Sequence, residues 1–122
     1  MDASAAVKLL RQEAESAAMQ AFADRSDVEL VSTFLLETEL RRFATRDAIS
    51  QTDVTNVLDG VSLFSLEDAD FTAAGLLPGA LRSLDALHVQ GALALGADRV
   101  ATYDARMAAA CGAAGLHVVA PS

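Results

Sequence analysis

The stretch SLDALHVQGALALGADRVATYDARMAAACGAAGLHVVA, Ser83–Ala120, decides the fold. Its apolar spacing predicts a helix from Ser83 to Leu95, closed by Gly96. A strand follows at Arg99–Tyr103, then a helix from Ala105 to Ala114 closed by Gly115, and a final strand at Leu116–Ala120. Glycine just past the last helical residue is a common stop signal. Strands alternating with helices imply a parallel sheet with helices on both faces, because parallel neighbours need a long crossover connection. Ligands of such sheets sit at the carboxyl ends of the strands, where Asp104 falls.

The alternation continues towards the N-terminus. Pro78-Gly79 reads as a turn, Glu67–Leu76 as a helix and Val61–Leu66 as a strand. A helix over Ser50–Leu58 stops at Gly60. Another covers Thr33–Arg46, with Leu36, Leu40 and Phe43 at i, i+4 and i+7. Val28–Ser32 is a short strand, preceded by helices over Glu13–Ala23 and Ala3–Leu10. Residues 1–122 thus form one domain, long enough for a single core.

The composition narrows the function. The chain carries a net charge of −8 and is 52% hydrophobic, much of it alanine, which suits close helix packing and an apolar surface kept for a partner. A charge of that sign argues against a general nucleic-acid coat and against direct DNA binding, since backbone affinity comes from neutralising phosphates. It leaves room for a small site holding cations. With 5% aromatic residues and no Trp, the composition argues against base-stacking platforms of the RRM or OB type. A single cysteine, Cys111, rules out an internal disulfide and a cysteine zinc site. No apolar run reaches membrane-spanning length and no signal-peptide pattern opens the chain, so the expected location is the cytoplasm.

Four acids hold the chemistry. Asp104 follows a strand and opens a helix, where it is explained as an N-cap. Asp85 lies in the first turn of its helix and complements the macrodipole. Glu39 borders an apolar helix face between Leu35, Leu36 and Phe43. A carboxylate there needs a cation or hydrogen bonds, and either a metal or Arg42 at i+3 would serve. Glu37 with Arg41 at i+4 is ordinary solvated pairing. Asp2, beside the first residue, is expected to fray. Ser4 reads first as the N-cap of the opening helix and second as a donor to Asp2. Taken together, four carboxylates suit one or two Mg²⁺ or Mn²⁺ ions, which are hard cations that prefer oxygen ligands. Such ions activate water and stabilise the charge of phosphodiester cleavage.

The segments Asp2-Ala3-Ser4-Ala5-Ala6-Val7-Lys8-Leu9, Thr38-Glu39-Leu40-Arg41-Arg42, Pro78–His88 and Val100–Arg106 carry a resemblance. In order and setting they resemble the PIN-domain ribonucleases, most closely the VapC toxins of VapBC toxin–antitoxin modules. The resemblance covers essentially the whole chain. It implies a three-layer α/β/α sandwich around a central parallel sheet. It implies Mg²⁺- or Mn²⁺-dependent cleavage of RNA, with Asp2, Glu39, Asp85 and Asp104 as catalytic and metal-binding acids. It also implies a homodimer silenced by a VapB-type antitoxin. Thr102 resembles the small hydroxyl residue that supports the family site, alongside Ser4. Arg41, Arg42, Arg46 and Arg82 are candidate phosphate contacts, with solvated ion pairs as the alternative. His88, one turn after Asp85, reads as a packed or hydrogen-bonded core residue rather than a ligand. Only Met1 precedes Asp2, where family members carry a central strand, so a truncated N-terminal strand and a weakly anchored Asp2 are expected.

Other acid-based folds fit less well. A receiver domain needs a lysine near the last strand, and the only lysine is Lys8. A haloacid-dehalogenase-type phosphatase needs a second Asp two residues after the first, where Ser4 stands. A PIN fold retained as a protein-binding module, or as a nuclease outside a toxin–antitoxin pair, is the remaining alternative.

Overall fold

The computed structural model describes residues 1–122. Its elements run α1 (Ala3–Leu10), α2 (Ser16–Ala23), β1 (Val31–Thr33), α3 (Phe34–Arg46), α4 (Gln51–Asp59) and β2 (Ser62–Phe64). They continue with α5 (Asp68–Gly75), α6 (Ser83–Ala94), β3 (Arg99–Ala101), α7 (Ala105–Ala113) and β4 (His117–Val119). Each element read from the sequence is present, and the strands are shorter. Gly96 and Gly115 end α6 and α7 with φ of 64° and 81°, the left-handed region that glycine enters without a Cβ penalty.

Two elements start three residues later than their sequence patterns predict. α2 begins at Ser16 rather than Glu13, because the Ser16 hydroxyl closes a turn by donating to Arg11 O and accepting from Glu13 N. β1 begins at Val31 rather than Val28, because the Val28 amide is committed to a turn on Arg25 O.

All strand pairing is parallel, in two ladders: β1 with β2 (Val31 opposite Ser62) and β3 with β4 (Arg99 opposite His117). The backbone of Met1 and Asp2 lies between them. The Met1 nitrogen donates to Val31 O at 3.1 Å, and the Asp2 amide donates to Ala101 O at 3.2 Å. The Ser32 hydroxyl adds a bond to Met1 O at 2.8 Å. The first two residues therefore join the β1 edge to the β3 edge.

The core follows the same division. Leu36, Leu40 and Ala44 of α3 are fully buried and pack with Ala6, Val54, Leu58 and Val61. Ala44 takes the core position expected of Phe43, which lies at the margin beneath the guanidinium groups of Arg11 and Arg46, 4.9 and 5.2 Å from its ring centre. Val89, Val100, Met107 and Cys111 form a second cluster around α6, β3 and α7. Met19, Ala5 and Ala101 make a smaller third one, which links α1 and α2 to β3. No helix is long and apolar enough to cross a membrane.

Candidate functional site

The four acids come from four different places and line one cavity of about 370 Å³, together with Ser4, Arg82 and His88. Asp2 is held firmly, contrary to the frayed, weakly anchored end expected from its position. It is 6% exposed. Its Oδ1 accepts from the Ser4 hydroxyl at 2.7 Å and the Ala5 amide at 3.2 Å, and its Oδ2 accepts from the Thr102 hydroxyl at 2.6 Å. Asp2, not Ser4, is thus the N-cap of α1. Ser4 sits inside the first turn, where its Oγ donates to Asp2 and accepts from the Tyr103 amide at 2.8 Å. Thr102 accepts from the Asp104 amide at 3.1 Å. Two hydroxyls therefore fasten the Asp2 end to the loop that carries Asp104.

Asp104 caps α7, its Oδ1 accepting from the Arg106 and Met107 amides at 2.8 and 3.1 Å. This is the cap expected from the sequence. Its Oδ2 lies 3.8 Å from Nη2 of Arg82. Asp85 stands in the first turn of α6, with Oδ2 3.4 Å from Arg82 Nε. Arg82 thus sits between two of the acids. Glu39 projects from the middle of α3, and its Oε1 accepts from Nε2 of His88. The partner of Glu39 is this imidazole rather than Arg42.

No three acidic, imidazole or thiol groups draw together into a ready-made cation cage. The carboxylates stand on the walls of a shared space, with Glu39 Oε2 and Asp85 Oδ1 outside every hydrogen bond. An ion that keeps several of its waters needs only one or two direct carboxylates, so the all-oxygen donor set and the room between its members fit Mg²⁺ or Mn²⁺.

A wider groove of about 640 Å³ continues from this cavity, sharing Ser4, Glu39 and Leu84 with it and lined further along by Arg42, Arg46 and Tyr103. Arg42 forms no ion pair there, whereas Arg46 is paired with Asp47. Arg41 is engaged elsewhere, by Glu37 at 2.9 Å and by Gln51 and Thr55 on α4. Lys8, also on the groove wall, is held by Glu13 and Glu15 at 2.7 Å each. Those contacts hold the Glu13 and Glu15 carboxyls below their usual range and raise the Lys8 amine.

Sequence reasoning kept His88 out of the ligand set but did not find its partner. The one available signal was its i+3 spacing from Asp85, which puts both on one helix face.

The fold is thus a parallel α/β domain with four carboxylates on one cavity. The chain belongs to the PIN-domain family, whose model matches residues 1–113. Within that family it is of the VapC type. It is 36% identical over 133 aligned residues to Ribonuclease VapC46 of Mycobacterium tuberculosis, an alignment covering 100% of this chain and 96% of the relative. It is 37% identical over 130 residues to Ribonuclease VapC35 of the same species, covering 99% and 95% respectively. No solved structure matches.

Proposed function

We propose that this protein is a Mg²⁺- or Mn²⁺-dependent endoribonuclease, the toxin of a type II toxin–antitoxin module restrained by a VapB-type antitoxin. The observation that carries this reading is the convergence of Asp2, Glu39, Asp85 and Asp104 on one cavity. Full-length likeness to two relatives named ribonucleases supports it.

Glu39 and Asp85 offer uncommitted oxygens to a cation, while Asp2 and Asp104 hold the opposite wall in place through Ser4, Thr102 and the α7 amides. A divalent ion bound there supplies Lewis-acid activation of the phosphoryl group and of water. Arg82 lies between Asp85 and Asp104 on the cavity wall and would be placed there to contact a substrate phosphate. Arg42, unpaired on the adjoining groove, provides a second phosphate contact. An RNA strand approaching a chain of net charge −8 needs such local cations. The exposed Phe34 and Phe64 lie at the ends of neighbouring strands, and with Phe71 and Leu76 they leave apolar surface suited to a homodimer or an antitoxin.

The test is cleavage of a structured RNA pool with Mg²⁺ or Mn²⁺. EDTA is expected to abolish cleavage, and Asp85→Asn to slow it by about 100-fold or more, the scale of losing one electrostatic contact on which transition-state stabilisation depends, here through the cation that Asp85 would hold. Cleavage that survives both treatments would overturn the metal site.

A further inference from the structure

We propose that His88 is a positioning residue for the carboxylate site, fixing Glu39 relative to Asp85; this rests on the metal-dependent reading above. The argument starts from where the acids are mounted. Glu39 is mounted on α3, which packs on α1 and α4. Asp85 is mounted on α6, which packs on α5 and α7 and also meets β1. The cavity lies between, so the spacing of its walls depends on what ties α3 to α6.

His88 is such a tie. It is buried on α6, one turn after Asp85, and its Nε2 meets Glu39 Oε1 on α3. The carboxylate oxygen accepts and the imidazole Nε2–H donates. That bond occupies one oxygen of Glu39 and leaves Oε2 for the cavity that Asp85 also lines. One α6 turn therefore supplies a site acid and the group that aims a second acid mounted on a different helix. The contact satisfies the buried imidazole and at the same time takes up one oxygen of Glu39. Partners that orient metal ligands in this way typically matter by about 10–100-fold in metal affinity.

The experiment is Mn²⁺ titration by calorimetry on the folded protein, with thermal unfolding recorded for every variant. His88→Leu is expected to weaken Mn²⁺ binding by about 10-fold or more, the scale seen when a ligand loses its orienting partner. His88→Gln places an amide N–H near the Nε2 position and is expected to keep affinity within about threefold of wild type. His88→Asn, whose N–H is set too far back, behaves like His88→Leu; the Gln and Asn pair decides the matter if the Leu variant does not fold. In a Glu39→Gln background the Leu substitution is expected to change affinity by less than about twofold, because the effect runs through that contact.

Wild-type Mn²⁺ binding left unchanged by His88→Leu or His88→Asn would overturn the proposal while sparing the metal reading. A full loss persisting in the Glu39→Gln background would do the same. Absence of Mn²⁺ uptake by wild type would overturn the metal reading itself, and this inference with it.

Discussion

Thr102 shows how much one buried side chain does in this site. It is 1% exposed, and its hydroxyl donates to Asp2 while accepting from the Asp104 amide. Valine has nearly the same shape without the hydroxyl, so Thr102→Val leaves a buried carboxylate oxygen and a backbone amide short of a partner. Stranding such groups costs about 1–3 kcal/mol, and urea denaturation should show a loss in that range. An unchanged midpoint would mean that water takes over both roles. Glu39 makes a related point. Its place beside the apolar face was legible from Leu35, Leu36 and Phe43, but its partner lies 49 residues away on α6 and could not be read from local spacing.

Among the elements, α6 approaches β1 closely at Gly91. A Cβ at Gly91 would stand 2.7 Å from Thr33 Cγ2 and 3.7 Å from Leu66 Cδ2. Thr33 is buried and β-branched, so its methyl group has little freedom to yield. Alanine would favour the helix by about 1 kcal/mol over glycine, yet overpacking costs about 1–3 kcal/mol. Gly91→Ala is therefore expected to lower stability by about 1 kcal/mol on balance, read as a lower denaturation midpoint, whereas propensity alone predicts a gain. The helices themselves were legible because period and glycine stops are local signals. The role of Gly91 was not, because it depends on what faces α6 across the β1 ladder.

At the scale of the whole molecule, three clusters share the core, and Cys111 reports on one of them. The thiol is fully buried among Val89, Val100 and Met107. Burial first, and the Asp2 carboxylate second, push its ionisation above the usual thiol range. The reactive thiolate is thus scarce and shielded. Labelling by a disulfide reagent at pH 8 should be at least about 1,000-fold slower in the native protein than in urea, the protection expected if access requires opening a domain stable by a few kcal/mol. Native labelling at the urea rate would show that the α6–β3–α7 half opens independently.

Local signals determined the order of helices and strands, the parallel sense of pairing, the glycine stops and the four acids with the settings of Asp85 and Asp104. These are short-range properties: a 3.6-residue period, a cap, a residue placed just past a strand. Tertiary structure decided the rest. It divided the strands into two ladders joined through Met1 and Asp2. It moved Ser4 from cap to donor, buried Asp2 and gave Glu39 its imidazole. The physical reason is separation along the chain: Asp2 meets Thr102 across 100 residues. No local pattern encodes which distant side chains will share a low-dielectric space, and only the packed fold brings them within hydrogen-bond reach.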